Sequence, residues 1–127
     1  MPTTNHVLSK GYNAGAALTK GRAVKFSAAE TVIPVAATTD LVAGVARYSV
    51  SAGDITRGVG AQVDRIGSVI MEASEAIAVN QGVSITTDGR AQVVGAGERQ
   101  IGICDEAASG AGKYCRVTLT LPGTIVA

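Results

Sequence analysis

The sequence predicts an all-β fold, a small β-barrel or β-sandwich with two pseudo-repeated halves, and three observations carry that expectation. The first is a phrase that occurs twice. Lys20-Gly21-Arg22-Ala23-Val24 leads to Gly44-Val45-Ala46, a Gly53-Asp54 turn and an apolar run around Val63. Gln81-Gly82-Val83-Ser84-Ile85 leads in turn to Gly102-Ile103-Cys104, Gly110-Ala111-Gly112 and an apolar run around Val117. A unit repeated in this way builds a shared core from similar halves, here about residues 20–66 and 81–120. The second observation is the rhythm of short apolar runs punctuated by turn residues, which marks a sandwich or barrel. The third is the core-forming set. Hydrophobic residues make up 46% of the chain, yet it holds one Phe, three Tyr and no Trp. Its core must be built from Val, Ile, Leu and Ala, and the branched residues, stiff at χ1, favour pleated sheet.

The elements follow in chain order. Residues 1–17 are polar and then Gly-Ala rich, with little periodicity, and read as an extended N-terminal arm that needs a partner to become ordered. Residues 18–127 read as a single β-domain, in keeping with the length of 127 residues. Strand candidates are Ala23–Phe26, Thr31–Val35, Leu41–Ala46, Ala61–Ile66, Ser68–Met71, Ala76–Val79, Val83–Thr86, Arg90–Val94, Gln100–Cys104 and Tyr114–Leu121. Pro34 has no N–H to donate, which assigns its strand to a sheet edge. Ser51-Ala52-Gly53-Asp54 reads as a glycine turn, and helical turns fit only near Glu72–Ala76 and Glu106–Ser109. Around Asp88-Gly89 the faces decide the loop. A two-residue turn sets Ile85 opposite Gln92 and mixes apolar with polar. A three-residue loop, Thr87-Asp88-Gly89, pairs Thr86 with Arg90, Ile85 with Ala91, Ser84 with Gln92 and Val83 with Val93, leaving one face apolar and the other polar. The longer loop, with Gly89 at positive φ, is the prediction.

The chemistry-bearing residues are few. The single histidine, His6, lies in the arm, where a catalytic base is poorly held. Cys104 and Cys115 are too few, and wrongly spaced, for a zinc site. They read as buried free thiols, with a disulfide across the hairpin as the alternative. Gly110-Ala111-Gly112-Lys113-Tyr114 lacks the first glycine and the final hydroxyl of a phosphate loop, and Gly58-Val59-Gly60 misses the third glycine of a dinucleotide fingerprint. No catalytic, cofactor or metal site is therefore expected, and the chain reads as a non-enzyme. The net charge of +1 gives no field for a polyanion, and the scarcity of aromatics leaves few stacking platforms for nucleic acid. No run approaches a membrane span and no secretory leader is visible, so synthesis in the cytoplasm is expected. Charge is uneven: residues 1–29 hold Lys10, Lys20, Arg22 and Lys25 and no acid. A solvated surface accounts for this, and a docking patch is the alternative.

The second half also carries a resemblance. Ala78-Val79-Asn80-Gln81-Gly82, Asp88-Gly89-Arg90, Ile101-Gly102-Ile103-Cys104, Ala107-Ala108-Ser109-Gly110 and Tyr114-Cys115-Arg116-Val117-Thr118-Leu119 follow one another. This series resembles the capsid decoration, or cement, proteins of tailed bacteriophages, and Lys20-Gly21, Gly44-Val45-Ala46 and Ala52-Gly53-Asp54 echo it in the first half. The likeness spans roughly residues 18–121 and is a rhythm of glycines and aliphatics; Cys104 stands where a small residue such as Ala is usual. It implies a trimer seated on the outside of a phage head, host-made, that binds the major capsid protein and reinforces the shell. On that reading the first residues dock on the capsid, through apolar Val7 and Leu8 and cationic Lys10, Lys20, Arg22 and Lys25. A ligand-binding or accessory β-domain, and a tail or fibre component of the same virion, are the competing readings.

Overall fold

The structure is a computed structural model that describes residues 7–127, so His6 lies outside the described residues. The fold is all-β. The first unit comprises β1 (Leu8–Ala14), β2 (Ala23–Ala28), β3 (Thr31–Pro34), β4 (Gly44–Ala46), a short helix α1 (Ala52–Thr56) and β5 (Ala61–Ile66). These strands close into a barrel in the order β1-β3-β2-β4-β5. The second unit comprises β6 (Ser68–Glu72), β7 (Gly82–Ile85), β8 (Ala91–Val93), β9 (Arg99–Glu106) and β10 (Tyr114–Ile125), a sheet in the order β6-β10-β9-β7-β8.

The two units are built on one plan. Read from β3, the barrel runs β3-β2-β4-β5-β1; read from β8, the sheet runs β8-β7-β9-β10-β6. The registers agree as well. Val24 faces Pro34 and Gly44 as Val83 faces Val93 and Gly102. Lys10 faces Val63 as Val69 faces Val117. Outside the strands, the bridge from Leu18 to Val50 matches that from Ile77 to Ala108. The shared plan is wider than the repeated phrase, because it takes in β1 and β6.

That finding corrects the reading of residues 1–17 as an arm over Leu8–Ala14, while residues 1–6 of it lie outside the described residues. Leu8–Ala14 is a barrel strand, antiparallel to β5 and parallel to β3, and it closes the barrel. Its place is held by backbone hydrogen bonds and by one buried side chain, Tyr12, so little hydrophobic periodicity was available to reveal it. Pro34 is corrected with it. β3 lies between β2 and β1, but β1 pairs only with Thr31 and Val32. Pro34 lies past that ladder, where its missing N–H is not needed.

The Asp88-Gly89 hairpin has the predicted three-residue loop. Val83, Ser84 and Ile85 face Val93, Gln92 and Ala91, the Thr86 N–H donates to Arg90 O at 2.8 Å, and Gly89 has φ +86°. Its polar face, however, is covered. The Glu98 carboxylate accepts from Ser84 Oγ at 3.0 Å and from Gln92 Nε2 at 2.9 Å, which satisfies the fully buried Ser84. The helical turns are also elsewhere. Glu72 and Glu106 end strands, whereas Ser51 and Asp54 form a capping box that starts α1. Ala76–Val79 contributes only the Ile77 bridge.

Valine and isoleucine fill the core, with Met71, Ile77, Ile85 and Ile101 the largest fully buried side chains. One cluster lies inside the barrel, around Leu18, Val24, Val32, Val50 and Val63. The other belongs to the second sheet but includes Ala23, Val35, Val42 and Val45 from the first unit. Backbone bonds complete the joint: Glu72 N–H donates to Gly21 O at 2.9 Å and Ala23 N–H to Gly89 O at 2.8 Å. The segment Gly21–Ala23 thus spans the gap between β6 and β8.

Cys104 and Cys115 are free and buried within this second core. Burial, and then Cys104 beside it, pushes the Cys115 thiol up to about 11; burial, chiefly, raises Cys104 too. Neither thiol should be alkylated by iodoacetamide at neutral pH in the native protein, and both should react in denaturant. Rapid native labelling, read by mass spectrometry, would contradict that burial.

Candidate functional site

A groove of about 490 Å³ runs along the joint between the units, lined by Val7, Lys20, Arg47, Tyr48, Ile70 and Arg116 among others. The loop after β4 supplies Arg47 and Tyr48, and the outward faces of β6 and β10 supply Ile70 and Arg116. Alternation on those strands explains the placement, since Met71, Val69, Cys115 and Val117 point inward. Arg47 pairs with Asp64 at 3.6 Å and donates to Ser9 Oγ at 3.0 Å, while Ser9 also bonds Asp64. Arg116 pairs with Glu106 at 3.1 Å. Lys20 makes no ion pair among the described residues.

Val7 and Lys20 are the two sequence-singled residues that meet here. The others lie apart, and the picture of four cations without acids does not survive folding. Arg22 ties the units together, reaching Glu72 at 3.3 Å and Asp88 at 3.8 Å. Lys25 pairs with Asp40 at 3.1 Å, and Lys10 with Glu30 at 3.7 Å. Leu8 is exposed on the outside of β1. Sequence distance concealed these partners, for each acid lies on a later strand or loop.

Lys25 therefore has a structural task. Asp40 accepts from the Ala36 and Ala37 N–H groups at 2.8 and 3.0 Å as well as from Lys25. The Ala36 hydrogen bond above all, with Lys25 and Ala37, holds its carboxyl below the ordinary range despite partial burial. A folded-state value below the unfolded value of about 3.9 gives stability that is present above about pH 4 and lost as pH falls through the folded value. Asp40→Asn should remove this contribution, so its melting temperature should fall less steeply than that of the wild type from about pH 5 to about pH 2. Parallel acid profiles would count against it.

A second surface went unnoticed in the sequence because it joins residues from three strands. At one end of the barrel, the Tyr12 and Phe26 rings meet edge to face, with centroids 5.3 Å apart at 75°. Arg65 stands over Phe26 at 5.5 Å, donates to Tyr12 Oη at 3.1 Å and reaches Ala43 O at 3.0 Å; Lys10 lies 5.2 Å from the Tyr12 ring. The only available signal was the single Phe itself.

The fold is similar to one already solved. The structure of the head fiber gp8.5 N base of bacteriophage phi29 matches with a TM-score of 0.69 over 96% of this chain and 100% of that chain, at 17% sequence identity. No protein-family model matches the chain, and no curated protein does. At that identity the likeness concerns the fold, and nearly the whole of it: both units lie within the match.

Chemically, the groove and the barrel end offer open surfaces of mixed cations and apolar side chains. Among the described residues no group of three or more His, Cys, Asp or Glu is placed to hold a metal. Such surfaces suit contact with another macromolecule better than enclosure of a small ligand, which needs a concave pocket with convergent polar groups.

Proposed function

We propose that this chain is a non-catalytic structural protein of a phage virion, carried on the outside of the head and bound to the major capsid protein. The observation that supports it is the match in fold, across both units, with a head-fibre base. The glycine-aliphatic rhythm of the second half, which resembles decoration proteins, points to the same location. Of the two head-surface roles, the matched structure favours a fibre base and the sequence rhythm favours a cement protein; both require attachment to the shell.

Attachment runs through the joint groove in this reading, where Val7, Tyr48 and Ile70 give apolar contact and Lys20 supplies a cation that makes no ion pair among the described residues. Removing residues 2–12 would not test this cleanly, since it cuts into β1. Point variants are. Co-sedimentation with undecorated heads should show saturable binding of the wild type, and Lys20→Glu with Tyr48→Ser should weaken it by about tenfold or more. Binding should weaken as salt rises. Saturable binding to isolated tails, and none to heads, would replace this reading with that of a tail component.

A further inference from the structure

The two units share one core at their joint, and the repeated plan leaves the counterparts of some of its buried residues exposed elsewhere. Within the chain, Val45 of the first unit belongs to the cluster that covers Met71 and Ile85 of the second, and all three are fully buried. The shared register puts Tyr12 in the place of Met71 and Phe26 in the place of Ile85. At this end of the barrel Tyr12 is buried, with Arg65 and Lys10 against the rings, but Phe26 is 45% exposed where Ile85 is 0% exposed. The converse holds at the other end. Ile103 takes the place of Val45 in the pairing of β9 with β10, and it is 44% exposed where Val45 is 0% exposed. Phe26 and Ile103 are thus half-exposed apolar residues in the places that Ile85 and Val45 fill when buried at the internal joint.

Charge agrees with this transposition. Inside the molecule Arg47 and Val69 both line the groove. Their counterparts are Asp105 and Lys10, an acid and a base on opposite ends of the chain. Asp105 is exposed beside Ile103, one carboxylate oxygen held by Ser68 and Thr118 at 2.6 and 2.7 Å. Lys10 is exposed too, with Glu30 as its neighbour at 3.7 Å. Opposite charges occur where repetition of the internal contact would juxtapose them.

We propose that copies of this chain associate head to tail, with Ile103 and Asp105 of one copy docking on Lys10 and Phe26 of the next. The contact is heterologous, so it closes into a ring, a trimer among the possible closures, or extends as a chain. It is weaker than the internal joint. In the first unit Asn13 N–H already donates to Glu30 O at 2.8 Å, closing the gap that Gly21–Ala23 span in the second. Side chains alone make the contact between copies.

The test uses the purified full chain, without phage heads, so that its outcome is independent of the virion reading. Light scattering across a concentration series should show masses above one chain, falling as salt rises. Lys10→Glu and Asp105→Lys should each weaken association by about tenfold or more. The double variant should regain it, and an equimolar mixture of the two single variants should recover it at contacts between unlike copies (fully in a chain or even ring, in part in a trimer), because each restores opposite charges across the contact. Circular dichroism melting of each variant controls for folding. Monomers at every concentration would overturn the proposal. So would association indifferent to either reversal, or losses that neither the mixture nor the double variant recovers.

Discussion

Gly102→Ala is expected to cost about 3 kcal/mol or more of unfolding free energy, at the upper end of what overpacking a core inflicts. A methyl group there would lie 2.2 Å from Thr118 O and 2.8 Å from Val117 Cγ1. Thr118 belongs to β10, held between β6 and β9, so its carbonyl has no room to swing aside. The same demand recurs in the first unit. At Gly44, the counterpart of Gly102, a Cβ would meet Asp64 O and Val63 Cγ1, each at 2.5 Å. Gly44→Ala should therefore be damaging as well, somewhat less than Gly102→Ala. Gly110→Ala is the control, because nothing lies within 4 Å of its added carbon, and it should stay within about 0.5 kcal/mol of the wild type. Urea unfolding of the three variants measures all of this. A loss below about 1 kcal/mol at Gly102, no more than an average substitution, would mean that β9 and β10 separate more readily than their pairing indicates.

The glycines that are architecturally strict were thus legible as the repeated Gly-apolar-small phrase, and so was the hairpin loop, where facing residues left one consistent register. What stayed hidden has physical reasons. β1 relies on backbone pairing, and among Leu8–Ala14 only Tyr12 is buried. A polar strand that closes a barrel shows little of the alternation by which half-buried strands are recognised. α1 was marked by its Ser51-x-x-Asp54 spacing, but the glycine within drew the reading towards a turn. The cations of residues 10–25 looked unpaired because an ion pair leaves no trace at short range when its acid arrives from another strand. Arg22 shows this best: its partners Glu72 and Asp88 belong to the other unit. The groove and the aromatic barrel end were beyond sequence reasoning for the same reason, since each is assembled from several strands.

The joint between the units sets up the second large effect. Residues 67–127 made alone should remain unfolded, whereas residues 7–66 should keep their barrel. The asymmetry follows from where the cores lie. The barrel cluster draws only on the first unit. The cluster of the second sheet includes Ala23, Val35, Val42 and Val45, each no more than 3% exposed in the intact chain. Without them one end of that core would face water, at roughly 25 cal/mol for each Å² of apolar surface left uncovered. Glu72 N–H and Gly89 O would lose their partners on Gly21 and Ala23, and Glu72 its pairing with Arg22. A unit of this length has little stability to lose, since small domains bury too small a share of their surface to tolerate such an opening. The isolated second unit should give a coil-like circular dichroism spectrum and narrow amide dispersion. Added first unit should restore the strand signal, because the missing layer is then supplied in trans. Cooperative unfolding of residues 67–127 on their own would show that the second sheet is complete without its neighbour, and that the four first-unit residues merely rest against it.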